Sequence, residues 1–376
     1  MPGPKLFEPI TVGGLSLANR IVIAPMCQYS AIDGCMTDWH LIHLGHLALS
    51  GAGLLTIEAT AVVPEGRISY GDVGLYDDAS EAAMGRVIES IRRHSDMPIA
   101  IQLGHAGRKA STDLPWLGGK QIAPGAANGW QTMAPTAMAF AESDNAPVVL
   151  EEDDLSDLAA AFAAAAKRAA RLGIDAVQIH GAHGYLLHQF LSPLSNRRED
   201  NFGGSFDNRV RFPLQVFDAV RESFPAEKPV TMRVSGTDWV DGGWDIDQTI
   251  AFAGLLEERG CAAIHVSSGG LDPRQIIPVG PNYQVPLARA VKQSTNIPVV
   301  AVGLITEPEQ AEAIIATGDA DIIALARAIL YDARWPWHAA AALGASVTAP
   351  NQYLRSQPRQ YRDLLRGADS APKSGS

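Results

Sequence analysis

Cysteine is scarce in this chain of 376 residues: Cys27, Cys35 and Cys261 make an odd number with no Cys-x-x-Cys spacing. That excludes a disulfide framework, offers no zinc or iron-sulfur motif, and makes a reducing cytoplasm the expected setting. An excess of positive charge is also missing. Thirty Lys and Arg face 41 Asp and Glu, for a formal net charge of -11, and the basic residues occur as scattered pairs rather than as a stripe that could neutralise phosphates. Nucleic acid is therefore not an expected partner. Long apolar runs are lacking as well: nothing approaches the ~20 residues needed to span a bilayer, and residues 1–15 show no basic segment followed by an apolar one. Neither membrane insertion nor export is expected. No repeat at solenoid spacing is visible.

What is present is apolar residue in short runs: 47% of the chain is hydrophobic and 19% charged, enough to bury a large core. Runs bounded by Gly and Pro mark strand candidates at 21–26, 53–60, 98–105, 176–182, 229–236, 262–269, 298–303 and 321–325. Helix-like segments lie between them. The clearest, 153–172, has acidic residues at its start, Ala-rich turns, basic residues at its end and Gly173 beyond, as dipole and C-cap preferences require. Fully apolar strands suit a parallel sheet buried on both faces, and eight alternating units predict a single (β/α)8 TIM barrel, with an open doubly wound sheet as the alternative. Two connections are too long for simple turns. Residues 107–150, rich in Pro, Gly and Trp, and 183–208, rich in charge and Gly, are expected over the C-terminal strand ends, where barrel enzymes place their sites. The barrel is assigned to 1–345, including the excursion 107–150. A C-terminal extension with a disordered end takes 346–376.

The most informative segment runs from Gln178 to Leu187, Gln-Ile-His-Gly-Ala-His-Gly-Tyr-Leu-Leu, at the end of the fourth strand candidate. His180, His183 and Tyr185 fall close together there. Two imidazole donors could converge on one substrate oxygen and a tyrosine hydroxyl could supply a proton, which are the polar needs of adding hydride and proton across a polarised C=C bond. The plainer alternative is two helix-cap histidines and a packed tyrosine. No Asp, Glu or Cys accompanies the pair at ligand spacing, so no metal is expected.

At this segment the chain resembles the Old Yellow Enzyme family, and the resemblance extends over nearly its whole length. Leu6-Phe-Glu-Pro-Ile10, Leu17-Ala-Asn-Arg-Ile21 and the run from Ser195 to Phe212, Ser-Asn-Arg-Arg-Glu-Asp-Asn-Phe-Gly-Gly-Ser-Phe-Asp-Asn-Arg-Val-Arg-Phe, are similar to that family's motifs. Ala24-Pro-Met-Cys-Gln-Tyr29, with cysteine where many relatives carry threonine, resembles the thermophilic-like class. The resemblance implies an FMN-binding barrel that reduces the C=C bond of α,β-unsaturated carbonyl compounds. It implies a ping-pong order with NADPH or NADH as transient hydride donor, and leaves quinone or nitro acceptors open.

Carried over residue by residue, the resemblance puts Pro25, Met26, Cys27 and Ala59 against the flavin ring, the cysteine near its reactive end. Gln102 and Arg233 match polar residues on the pyrimidine side, where a guanidinium and an amide would stabilise the charge that reduction builds. Both stand in otherwise apolar strands, where an unpaired polar group is costly. Gly303 closes the seventh strand candidate and the pair Ala326-Arg327 follows the eighth, where such barrels bind phosphate. Relatives usually have Gly-Arg at the second place, and Ala326 departs from that pattern. His180 and His183 would grip the substrate oxygen and Tyr185 would donate the proton. Tyr29 and Lys109 are implied on the substrate side, and Trp116 and Trp130 are candidates for a lid. Gln352-Tyr-Leu-Arg355 is similar to a stretch that enters a neighbouring subunit's site, which implies a homodimer or homotetramer whose site Arg355 and Tyr353 complete; Arg359 and Arg362 nearby leave the register open, and a solvated basic tail is the alternative for all three arginines. Two other functions stay open: a flavin-free aldolase or isomerase acting on a phosphorylated substrate, and a non-catalytic flavin-binding or sensory protein.

Overall fold

The computed structural model describes residues 3–367; the end expected to be disordered lies largely outside them. Eight parallel strands close on themselves: β1 (Ile21–Ile23), β2 (Leu54–Ala61), β3 (Ile99–Gly104), β4 (Ala176–Gly181), β5 (Val230–Ser235), β6 (Ile264–Ser267), β7 (Val299–Ala301) and β8 (Ile322–Leu325). Pairing follows chain order, with β8 returning to β1 through Leu325 opposite Ile23. Every residue of β1, β3, β4, β6, β7 and β8 is buried, because helices cover one face and the barrel interior the other. That is why these strands read as largely apolar runs. The open-sheet alternative is thus excluded by β8 pairing with β1.

The helices form the outer ring: α1 (Asp38–Ala48), α2 (Asp78–Arg92), α3 (Glu152–Arg171), α4 (Phe206–Ser223), α5 (Ile246–Glu258), α6 (Val285–Lys292), α7 (Pro308–Ala316) and α8 (Trp335–Leu343). Helix α3 starts one residue earlier than its sequence suggests, because Glu151 and Asp154 form a reciprocal cap. Its inward stripe, Leu155, Leu158, Phe162, Ala165, Ala166 and Ala169, is buried at helical spacing. A short hairpin, Ile10–Val12 with Leu15–Leu17, packs Val12 and Leu17 against Val22, Val300 and Ile322 and so plugs the N-terminal end of the barrel. The working face is therefore the other end.

Two features of the barrel position the site. Strand β2 bulges at Glu58, whose neighbours Ile57 and Ala59 pair with consecutive residues of β3. The long connection after β3 crosses the C-terminal rim, where Arg108 donates to the Leu271 carbonyl at 2.9 Å and Trp130 to the Glu65 carbonyl at 2.9 Å. After α8, Val347–Thr348 pairs with Leu365–Arg366 and packs on Ala340.

Candidate active site

Adjacent parallel strands place the polar residues of the barrel mouth in register: Ala59 beside Gln102, Gln102 beside Gln178, His180 beside Arg233, and Arg233 beside His265. Since successive strand residues alternate faces, Gln178 and His180, like His265 and Ser267, share the interior side of their strands. Gln102 donates to Gln178 at 2.8 Å, and Gln178 lies 3.4 Å from Nδ1 of His265. A polar row thus crosses the floor of the mouth.

Arg233 stands in this row almost wholly buried, and its Nε has no hydrogen-bond partner among the described residues. Burial pulls its pKa down to about 10, so it remains charged at neutral pH. An unpaired buried cation is costly and calls for a polar or anionic occupant above it.

The ring of His180 lies edge-on to that of His183 at 5.1 Å and to that of Tyr185 at 5.0 Å. Burial, with Arg233 beside them, holds both imidazoles well below the usual histidine range, so they are neutral and each keeps one N–H. Burial pushes the Tyr185 hydroxyl well up, so it holds its proton. His183 adopts a left-handed φ of 59°, which turns the chain sharply out of β4. Ser267 Oγ lies 2.9 Å from His183 Nε2 and Ser235 accepts the His183 amide at 3.0 Å. The backbone between His183 and Tyr185 is fixed from behind, since Gly184 N–H donates to Nδ1 of His188 at 2.9 Å and Nε2 of His188 faces Asp238 at 2.8 Å. With Nδ1 accepting, the proton sits on Nε2.

Pro25, Met26, Cys27 and Tyr29 follow β1 at the rim, all partly buried. The Cys27 thiol shares a hydrogen bond with Asp72, and burial with Asp72 and Glu58 nearby pushes it up, so it stays a thiol. Cys27, Glu58 and Asp72 offer atoms within 4.8 Å of one another, and Glu58 Oε2 and Asp72 Oδ1 have no hydrogen-bond partner among the described residues. Glu58 accepts the Gln28 amide at 3.1 Å and faces His40 at 3.6 Å, and Asp72 accepts the Ser69 amide. Trp116 meets Tyr29 edge-on at 6.1 Å.

The ammonium of Lys109, a residue expected on the substrate side, donates to the carbonyls of His183 at 2.9 Å and Gly270 at 2.8 Å. At the ends of β7 and β8, Gly303 has φ 127° and a side chain there would meet Gln284 Nε2 at 2.8 Å. Ala326 caps the short helix Arg327–Tyr331, with Arg327 exposed beside it. The first amides of such a helix lack partners within it. Arg355 is exposed, and its segment packs elsewhere: Tyr353 sits 6.1 Å from the Trp337 ring and 5.3 Å from the Arg334 guanidinium. Within one chain it is not at the barrel mouth.

Sequence reasoning did not assign Gln178, Ser267, His265, Asp72 or Glu58. The alternation of His265 and Ser267 in an apolar strand was a usable signal; Asp72 and Glu58 reach Cys27 only through folding.

A barrel whose mouth carries a buried guanidinium with an unpartnered Nε, two neutral imidazoles and a protonated tyrosine is suited to hold an electron-rich polar group. Comparison with known proteins then gives the family. Residues 5–345 match the model of the NADH:flavin oxidoreductase / NADH oxidase family, and the chain belongs to that family. It is thus an FMN-dependent oxidoreductase. It is 44% identical over 331 residues to an NADH:flavin oxidoreductase of Gibberella zeae, covering 84% of this chain and 80% of that one. It is 40% identical to an NADPH dehydrogenase of Geobacillus sp., covering 93% of this chain and 98% of that one. The solved structure of morphinone reductase superposes with a TM-score of 0.75 at 29% identity, over 100% of this chain and 99% of the other. A 2-naphthoyl-CoA reductase shares the fold at a TM-score of 0.80 and 22% identity, and this chain, 91% of it aligned, spans only 52% of that longer protein.

Proposed function

We propose that this chain is an ene-reductase that reduces the C=C bond of α,β-unsaturated carbonyl compounds, with quinones or nitro compounds as further acceptors. The observation that carries the reading is the convergence of His180, His183 and Tyr185 beside Arg233. FMN, when bound, would supply hydride exchange between NADPH or NADH and the acceptor, in ping-pong order. Arg233 and Gln102 would hold its pyrimidine side, Ala59 and the segment from Pro25 to Cys27 its ring, and Gly303, Ala326 and Arg327 its phosphate. The unpartnered Arg233 Nε fits this assignment, as does the glycine at 303, where a side chain would crowd the backbone.

His180 and His183 each direct one N–H at the acceptor's carbonyl oxygen. As neutral donors they draw electron density from the conjugated double bond without protonating the oxygen. Tyr185, still protonated at neutral pH, delivers its proton to the α-carbon. The NADPH dehydrogenase relatives and a morphinone reductase structure with tetrahydroNAD support a nicotinamide donor. Arg355, exposed on one chain, would enter the mouth of a second copy in a homodimer or homotetramer, the extension 346–376 serving as the arm of a barrel 1–345. Among the described residues no helix is long and apolar enough to cross a membrane; a cytoplasmic location belongs to the proposal.

Anaerobic titration tests it. The FMN-loaded protein should lose its yellow colour with NADPH or NADH and regain it with cyclohex-2-enone. Persistent bleaching in the presence of enones, maleimides and nitroarenes would overturn the reading, and a colourless protein would favour an aldolase or isomerase.

A further inference from the structure

The loops after β4 and β6 touch backbone to backbone. A side chain on Gly184 would sit 2.1 Å from the Gly270 oxygen, and one on Gly270 would lie 2.6 Å from the His183 carbonyl carbon. The approach brings the carbonyl oxygens of His183 and Gly270 together, and two such dipoles repel unless a donor stands between them. The Lys109 ammonium, reaching from the loop after β3, bonds both. Its other surroundings are ring faces, Phe140 at 4.7 Å and Tyr185 at 5.2 Å, which also attract a cation. Among the described residues it is in no ion pair with a carboxylate, so the carbonyls and rings are what make its burial tolerable.

We infer that Lys109 is a positioning residue, a three-loop staple whose ammonium fixes the left-handed turn at His183 and with it the placement of His183 and Tyr185. The inference rests on the proposed role of those residues and deepens it. A substrate-binding lysine would present its donors to the open mouth; two of its three are committed to backbone. The charge at the face of Tyr185 also favours the phenolate left after that residue gives up its proton.

The test uses FMN-loaded Lys109→Met, Lys109→Ala and Lys109→Arg proteins. Hydrogen exchange measured by mass spectrometry should quicken roughly 10-fold in peptides spanning 182–188 and 268–272 in Lys109→Met, about what one charge-assisted bond contributes, with Lys109→Arg restoring part of the protection. The kcat/KM for cyclohex-2-enone should fall by a similar factor, and methylammonium should restore part of it in Lys109→Ala. Unchanged exchange in both loops overturns the staple, as does the absence of rescue by methylammonium or arginine. Faster exchange with wild-type enone turnover leaves the staple standing and removes the oxygen-holding role of His183 instead.

Discussion

Ser267 Oγ lies 2.9 Å from Nε2 of His183, and this contact decides which imidazole nitrogen can serve the acceptor. With Nε2 engaged, Nδ1 is the nitrogen that would serve an acceptor in the proposed role, and it carries a proton only if Ser267 donates to Nε2 rather than to the competing Val234 carbonyl at 3.2 Å. Ser267→Ala should therefore raise KM for an enone about 10-fold, the worth of one oriented hydrogen bond, and Ser267→Thr should largely restore it. Steady-state kinetics decides the matter: an unchanged KM in the alanine variant would mean that the hydroxyl does not set the tautomer.

His180 is the second donor in the proposed site. Removing one preorganised donor to a developing oxyanion costs ~3 kcal/mol, so His180→Ala should slow enone reduction by 100-fold or more. Stopped-flow reoxidation with cyclohex-2-enone measures it. A loss below threefold would take the pair out of the mechanism.

Arg233 has a guanidinium with an unpartnered buried Nε. Arg233→Met deletes a charged hydrogen-bonding group worth about 1.5–3 kcal/mol, so FMN affinity should drop roughly 10- to 100-fold, and the midpoint potential of the remaining flavin should move to more negative values. Flavin fluorescence titration and a redox titration report the two effects. Wild-type affinity would place the guanidinium away from the ring.

Asp238 supports the turn after β4 from a distance. It faces His188 at 2.8 Å and accepts Ser192 Oγ at 2.6 Å and the Trp244 amide at 2.7 Å, all buried. Asp238→Ala leaves these donors unpaired, and breaking such a buried network typically costs about 3–5 kcal/mol. Urea denaturation should show that loss, with activity falling further than the folded fraction because Gly184 loses its anchor on His188.

Acid should destabilise the fold at a predictable point. Burial lowers the pKa of His105 to about 4, and holds His180, His183 and His265 well down. In each case the unfolded chain binds the proton first. Stability is fully present above pH 6.5 and is lost as pH falls from 6.5 towards the folded values, by about 2 kcal/mol for His105 alone between pH 7 and 5. Asp72, raised to about 6, and Glu58, raised by burial, act oppositely in the same range, but they are outnumbered. The urea midpoint should therefore fall between pH 7 and 5, and a rise would show that the carboxylates dominate.

Much was legible before folding, because it depends on local chemistry. Eight short apolar runs alternating with helical segments are what a barrel with both faces covered demands, and the structure closes those runs in order. The family was readable because His180, His183 and Tyr185 lie within a few residues of one another beside the long motif from Ser195 to Phe212. Arg233 stood out as a charge inside an apolar strand.

Tertiary structure decided what depends on register and on contact between distant segments. Only strand pairing aligns His180 with Arg233 and Arg233 with His265, because position in one strand says nothing of the height of its neighbour. Lys109 meets the carbonyls of His183 and Gly270 only because the loops after β4 and β6 come together, and Asp72 and Glu58 carry no local sign of meeting Cys27. The sequence by itself determined which groups this protein has for its chemistry and the barrel that would hold them. Which neighbours an imidazole and an ammonium meet was decided by packing, since the Ser267 hydroxyl beside His183 and the two carbonyls around Lys109 come together only when the chain closes.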